Sequence, residues 1–348
     1  MAYASISKPS LHFNTKIYTG NAGTQSITGV GFQPDLVWTK ARNLGAYHML
    51  TDVVRGATKI IQANTSTGEQ TFATGLTSFD SDGFTAGSSD DINGNYNYVS
   101  WNWKAGNSSG SSNTDGDITS TVSVNTTAGF SIVKYQGNGS NDQRVGHGLG
   151  ARPVTWFIKR LDSADDWIVY QQGIAANWYD DTYFYLNSSS AVMGSINAGT
   201  GNPTSSVFYI GDTGRTGANG DNYIAYVFAE KKGFSKFNYY EGNGNADGPF
   251  VYTGFKPAFV MTKEKPNASS WDMHDNKRDP HNVCNKYLLA EDAGAEGTTD
   301  ILDFCSNGFK LRTSNGDRNQ AGQRYVYWAF AEEPLVANIG QSIPATAR

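Results

Sequence analysis

Short strands of alternating large apolar and smaller or polar residues, rather than helical stripes, recur along the whole chain. The clearest examples are segments 98–104, 223–229 and 325–331, which are rich in aromatic and β-branched residues. In the first of them Val99, Trp101 and Trp103 share one face, because successive side chains alternate across a strand. We predict that this face is the core side of the strand, while the opposite face carries smaller or polar groups.

Each of these aromatic strands closes a block that occurs three times. Every block contains a tyrosine before a Gly-Asn turn, then a proline 16 to 18 residues later, and a lysine six residues after the proline. The proline opens an apolar strand at a place where its missing N–H is tolerated. The chain therefore reads as three diverged copies of one unit. The sets are Tyr18, Pro34 and Lys40; Tyr135, Pro153 and Lys159; and Tyr240, Pro257 and Lys263.

The fold class that this pattern predicts is all-β, with three tandem β-sandwich repeats of jelly-roll or lectin-like type. We place the first repeat, with an N-terminal arm, at 1–106 and the second at 130–232. The third repeat, with a C-terminal tail, occupies 233–348. Between the first two lies a linker, 107–129, which begins with a Ser-, Gly- and Asn-rich run typical of flexible chain. A radial arrangement of the copies is an alternative that we rank below a chain of three sandwiches.

Charge and hydropathy exclude several classes of partner. The net charge is −5 and no basic block is present, so we predict no nucleic-acid binding. No window approaches 18 consecutive apolar residues, which predicts no membrane insertion. The N-terminus lacks the apolar core of a signal peptide, so the protein is expected to be made and to stay in a cytoplasm until it leaves by another route. Two cysteines, Cys284 and Cys305, cannot form a disulfide framework, and small buried hydrophobes are their simplest interpretation.

The sequence gives only weak evidence for catalytic or metal-binding groups. His274 and His281 lie near three aspartates, but a surface turn explains that loop more simply than a metal site. The run 90–95 has the composition of a calcium loop without its closing glutamate, and a hairpin loop is the better interpretation. Asp165 and Asp166 are adjacent, so their side chains diverge on a strand and do not form a glycosidase pair. We therefore predict that the chain is not an enzyme and that it has no cofactor and no metal.

Aromatic residues give the remaining lead, because sugar-binding surfaces stack rings on pyranose faces. Seven of the eight tryptophans fall in matched positions of the copies, so core packing is their default role. Trp178 is the exception, in an aromatic and acidic cluster peculiar to the second copy. The alternative for the tyrosines of this cluster is that they face the core of a strand. The candidate ligand-binding residues are Trp178, Tyr179, Asp180, Asp181, Tyr183 and Tyr185.

Segments 13–38, 78–84, 250–260 and 344–348 resemble repeat proteins encoded by marine tailed phages, notably cyanophages. The resemblance spans nearly the whole chain and implies a lectin-like β-sandwich in a tail fibre, an appendage or the capsid exterior. It implies no catalytic residue. On this basis we expect a virion structural protein exposed on the particle, in a tail fibre or a tail-associated appendage. Its expected partners are other virion proteins and host surface glycans.

Two alternatives remain beside the tail protein: a capsid decoration or head appendage protein, and, less favoured, a carbohydrate-active enzyme. The chain shows no collagen-like, coiled-coil or β-helical shaft and no separate N-terminal anchoring module, which favours a compact component. A homotrimer suits a fibre or appendage, but three copies in one chain would also let a monomer imitate a trimer.

Overall fold

The structure is a computed structural model that describes residues 4–172, 182–194 and 201–334. Within these ranges the regular elements are antiparallel strands, apart from a 3-10 turn at Pro9–Leu11 and one short helix, α1 (Gly316–Asn319). Apolar faces of the strands pack in layers, so the all-β, sandwich-like fold class is confirmed.

The first part of the chain forms a six-stranded main sheet, order β1-β9-β3-β4-β5-β6, and a three-stranded outer sheet, order β2-β8-β7. Gly83 starts β8 close to the neighbouring strand, where an added β-carbon would lie 1.9 Å from the carbonyl oxygen of Ile27. The strands are β1 (Phe13–Thr19), β2 (Gln25–Thr28), β3 (Leu36–Ala41), β4 (Met49–Asp52), β5 (Lys59–Gln62), β6 (Gln70–Thr71), β7 (Leu76–Asp80), β8 (Gly83–Ala86) and β9 (Asn97–Trp103).

The second part has a seven-stranded main sheet, order β10-β11-β12-β18-β14-β15-β16, and an outer pair, β13-β17. Its strands are β10 (Ser111–Asn113), β11 (Ser120–Asn125), β12 (Phe130–Gln136), β13 (Gln143–Gly146), β14 (Thr155–Arg160), β15 (Ile168–Gln171), β16 (Phe184–Tyr185), β17 (Val207–Ile210) and β18 (Asn222–Phe228).

Segment 107–129, which we expected as a linker, contains β10 and β11, and β11 pairs along the whole of its length with β12. It therefore extends the second main sheet. The polar sequence was misleading because β10 is a largely exposed edge strand, where Ser and Asn side chains face solvent.

The third part forms one eight-stranded sheet, order β19-β26-β21-β22-β23-β24-β25-β20. Strand β23 pairs with both β22 and β24, and side chains of β24, β25 and β20 pack with those of β21 and β26 in one cluster. Strands β24, β25 and β20, at one end of this sheet, thus take the place that a separate outer sheet has in the first two parts. The strands are β19 (Ser235–Glu241), β20 (Phe250–Tyr252), β21 (Phe255–Glu264), β22 (Asp272–Asp275), β23 (Cys284–Leu289), β24 (Gly297–Cys305), β25 (Gly308–Leu311) and β26 (Arg324–Pro334).

The inner faces of the three main sheets meet in one shared hydrophobic core. Its centre holds one aromatic residue from the closing strand of each sheet: the ring of Phe330 lies 5.7 Å from that of Trp103 and 5.7 Å from that of Phe228. We expected a chain of three separate sandwiches. The sheets instead pack radially, because both faces of each main sheet are apolar and the second face needs cover as much as the first.

A matching hydrogen bond crosses each of the three junctions between main sheets. Each bond starts at the same place in the closing strand and ends on the main sheet of another part. From donor to acceptor, the bonds run from the first part to the third, from the second part to the first and from the third part to the second. The three junctions therefore form a closed ring. The bonds are Trp101 Nε1 to Asp275 Oδ2, 3.1 Å; Tyr226 OH to Asp52 Oδ2, 2.8 Å; and Trp328 Nε1 to Thr155 Oγ1, 2.9 Å.

Backbone hydrogen bonds repeat the same cyclic order at the rim of each junction. They are Ala46 N to Ala293 O, 2.9 Å; Asp165 N to Ser66 O, 2.8 Å; and Ser269 N to Ser189 O, 2.8 Å. Main-chain bonds at all three junctions fix the register of one part against the next without depending on side-chain identity.

The three lysines of the repeated block are buried close to these junctions. Lys159 Nζ donates to Ser66 O at 2.9 Å, and Lys263 Nζ donates to Ser189 O at 2.9 Å, both across a junction. Lys40 Nζ donates within its own part, to Ala41 O at 2.8 Å. Burial lowers the pKa of each of the three ammonium groups to about 8, because desolvation penalises the charged form.

Candidate functional site

The aromatic and acidic cluster of the second copy is only partly within the described residues. Trp178, Tyr179, Asp180 and Asp181 lie outside them. Tyr183 and Tyr185 are described, and both are buried, at 3% and 9% exposure. Their hydroxyl oxygens lie 3.3 Å apart, and their rings belong to the core between the second main sheet and its outer strands. Packing accounts for these two rings, and the ligand-binding role of the cluster stays a prediction.

Arginine side chains surround the two adjacent carboxylates of the second part. Arg215 Nε lies 3.4 Å from Asp165 Oδ1, and Arg215 Nη2 lies 3.9 Å from Asp166 Oδ2. On the other side, Arg160 Nη1 approaches Asp165 Oδ2 at 3.9 Å and Arg160 Nη2 contacts Asp221 at 2.8 Å. Both carboxylates are thus held in an ion-pair network.

Histidines do not come together with other ligand types in the part of the chain that the structure describes. His274 is fully buried in β22, where burial holds its pKa well below the usual value, whereas His281 is exposed in the loop that follows. No group of three or more His, Cys, Asp or Glu side chains with metal-binding geometry occurs among the described residues. Both cysteines are free; Cys284 is buried and Cys305 half-buried.

The Asp-rich loop 90–95 is held by protein groups. The side-chain amide of Asn93 donates to Asn21 Oδ1 and to the carbonyl oxygens of Gly23 and Gly87, at 2.7 to 3.1 Å. Asn93 is fully buried, so this amide clamps the Gly-Asn turn after β1 onto the loop. This role was not predicted from the sequence. The signal was the presence of a Gly-Asn turn, 20–21, directly after β1 and an Asn-Gly turn, 93–94, shortly before β9.

An apolar cavity of about 30 Å³ lies where the three inner faces meet. Rings and aliphatic side chains from all three parts line it, among them Trp103, Phe228 and Phe330. A cavity of this size and chemistry is a packing void of the shared core, because it offers neither the room nor the polar groups of a ligand pocket.

Seven large hydrophobic side chains are exposed among the described residues, and they are the most direct candidates for contact with a ligand. Five of them are separated from one another in sequence, and single exposed hydrophobic residues need no functional explanation. Phe250 and Tyr252 differ, because they stand two residues apart on the edge strand β20. The seven are Leu11, Ile17, Tyr47, Met193, Tyr239, Phe250 and Tyr252.

A membrane-crossing helix is absent from the described residues, since none of their helices has the length and apolar character required. No curated protein and no solved structure matches the chain. One family model does match, described as "Domain of unknown function (DUF7483)", and it covers residues 8–334. This range includes all three main sheets with their shared core. The chain belongs to the DUF7483 family.

Proposed function

We propose that the protein is a structural component of a tailed-phage virion, exposed on the particle in a tail fibre or a tail-associated appendage. It binds other virion proteins and host surface glycans, and it performs no catalysis. The sequence resemblance to phage repeat proteins supports this assignment. The geometry of the chain supports a role in which shape and surface matter more than reactive groups.

The observation that carries the proposal is the closed ring of junctions. Each junction buries aromatic residues, a side-chain hydrogen bond and a main-chain hydrogen bond in the same cyclic order. Buried networks of this kind rigidify a protein and specify one arrangement. Most of the large aromatic residues are buried by this packing, so recognition is left to the loops that differ among the three parts and to the few rings that stay exposed.

A head decoration protein is the second candidate, favoured by the compact radial packing of the described residues. Both candidates are tested by labelling purified particles of the encoding phage with an antibody fragment raised against this chain, followed by cryo-electron microscopy. Label on the tail or its fibres supports the first candidate. Label only on head capsomers supports the head decoration protein and contradicts the tail protein. Particles that carry no label and lack the protein by mass spectrometry overturn both candidates.

The radial packing also bears on the homotrimer considered from sequence. The three main sheets of a single chain already pack around one shared core. A monomer would therefore present approximate three-fold geometry to its partners. We propose that the isolated protein is a monomer that occupies a three-fold position on the particle. Light scattering should give a mass near 37.7 kDa, and a mass three times larger would contradict this assignment.

A further inference from the structure

We propose that the outward face of β20, centred on Phe250 and Tyr252, binds a neutral pyranose glycan by stacking its two rings on the sugar. The proposal rests on the glycan-binding part of the function proposed above and assigns it to a particular surface. This surface lies on the outer strands of the third part, and neither of its two rings belongs to the aromatic cluster predicted in the second.

Alternation along β20 places the two rings side by side. Val251, between them, is buried in the core of the third part, so Phe250 and Tyr252 both point outward. They are 47% and 59% exposed, and Tyr252 is the most exposed large hydrophobic side chain among the described residues. Residues i and i+2 of a strand are separated by about 6.6 Å, so the two rings stand next to each other on this face.

Two glycines allow the rings to lie close to the backbone. Phe250 reaches over Gly308 of the neighbouring β25, where an added β-carbon would lie 3.1 Å from the Phe250 Cζ atom. The ring of Tyr252 passes Gly254, where an added β-carbon would lie 3.5 Å from the Tyr252 hydroxyl. The two rings therefore lie over glycines, and neither of these positions places a side chain beside them.

Charged side chains of both signs lie at the margin of this surface in equal number. Lys310, opposite Phe250 in the register, contacts Asp247 at 2.9 Å, and Arg312 Nε contacts Asp303 at 2.5 Å. Two cations and two carboxylates give a net charge of zero at this margin. Such a surface suits a ligand rich in hydroxyl groups, which both donate and accept, better than an anionic one.

The other two parts of the chain provide an internal control for the role of the rings. Strands β2 and β13 have the same position in their outer sheets, with Ile27 and Val145 buried where β20 has Val251. The residues flanking Ile27 are Ser26 and Thr28. A strand with small polar side chains therefore builds the same structure, so the fold does not require Phe250 and Tyr252 to be aromatic.

The size of the surface favours a sugar over a protein partner. A stable protein interface needs about 800 Å² from each side, whereas two rings on a three-residue strand offer far less apolar area. An aromatic face attracts the polarised C–H groups of a pyranose in the way that it attracts cations, and adjacent polar groups fix the orientation of the hydroxyls. The apolar area of two rings is of the size that one or two stacked sugar units would cover.

The test compares the full chain with the double variant Phe250→Ser/Tyr252→Thr, which carries the side chains that flank Ile27 in the first part. Saturation-transfer NMR with methyl β-D-glucopyranoside and methyl β-D-galactopyranoside, together with an array of neutral oligosaccharides, detects binding. For each glycan that the unsubstituted chain binds, we expect the affinity of the double variant to be at least tenfold lower. Tyr47→Ser, which removes a similarly exposed ring elsewhere, should leave the affinity unchanged.

Two results would overturn the proposal: no binding of any neutral glycan by the full chain at millimolar concentration, or equal binding by the double variant with an unchanged circular dichroism spectrum. Neither result affects the particle-labelling experiment, so failure of this site is distinguishable from failure of the proposed location. Where the second result is accompanied by loss of particle incorporation in the double variant, the surface is identified as a protein contact.

Discussion

Tyr226 donates a hydrogen bond to Oδ2 of Asp52 at 2.8 Å, although the two residues are 174 positions apart and belong to different main sheets. Both are buried, and the same carboxylate oxygen accepts from Arg55 Nε at 2.5 Å. Burial raises the pKa of the Tyr226 hydroxyl well above its ordinary value, so the group stays protonated and remains a donor. The junction between the first and second parts is therefore fixed by a buried, charge-assisted contact.

Replacing Tyr226 by Phe should lower the free energy of unfolding by about 1–3 kcal/mol, because a hydrogen bond to a buried charged group is lost. Urea denaturation followed by tryptophan fluorescence measures the change. Tyr239→Phe is the control, since Tyr239 is 41% exposed and its ring is retained. Equal midpoints for the two variants would show that the Tyr226 hydroxyl does not hold the junction.

Arg278 and Asp275 form the corresponding pair in the third part, with Nε and Oδ2 2.6 Å apart and both side chains fully buried. Replacing Arg278 by Met leaves the carboxylate without its cation and should cost about 3–5 kcal/mol. The double variant Asp275→Asn/Arg278→Met should lose less than the sum of the two single variants, because it removes both charges. Strict additivity in this double-mutant cycle would contradict the coupling.

Phe330 touches aromatic residues from both other parts, so its loss should affect the whole molecule. Phe330→Ala is expected to cost about 3–5 kcal/mol. Far-ultraviolet circular dichroism, near-ultraviolet circular dichroism and calorimetry should still report one transition at a lower temperature. Two separated transitions in the unsubstituted protein would show that its parts unfold independently.

The buried lysines should make the protein more stable as the pH rises from 8 to 10. Their pKa is about 8 in the folded state against about 10.5 in the unfolded state, so the unfolded chain binds more protons in this interval and stability increases with pH. Above pH 10 the trend reverses. Burial raises the pKa of Tyr98 and of Tyr223 to about 12, so the folded state then binds more protons.

Urea midpoints at pH 7.5 and 9.5 test this prediction, and Lys159→Met should show a smaller difference between them than the unsubstituted chain. Lys16→Met serves as the control at a lysine that is not fully buried. A midpoint that falls between pH 7.5 and 9.5 would contradict the lowered lysine pKa values.

Alternation along the strands was sufficient to predict the β class. Matched positions among the copies predicted the burial of seven tryptophans, all of which are buried. Alternation could not predict in which hydrophobic core each face of a strand is buried. The face of β9 with Trp101 lies in the shared core, while Tyr98 and Asn102 on the opposite face are also fully buried. When both faces of a strand are covered, alternation carries no information about what covers them.

Phe250 and Tyr252 illustrate a second limit of the sequence. An aromatic residue in a strand is most simply read as core, so their exposure was not predictable from residue type. Comparison among the copies does reveal that aromatic rings replace Ser and Thr beside a shared buried position. Only the outer location of β20 shows that these rings face solvent.

The shared core has a consequence for synthesis of the protein. Phe13, near the start of the chain, stacks on Phe330, near its end, with ring centroids 4.9 Å apart. At about 5–20 residues per second, the ribosome needs on the order of tens of seconds to travel between these two codons. During that time the apolar inner face of the first sheet lacks its contacts with the third sheet. We therefore expect the growing chain to be more prone to aggregation until its last strand emerges.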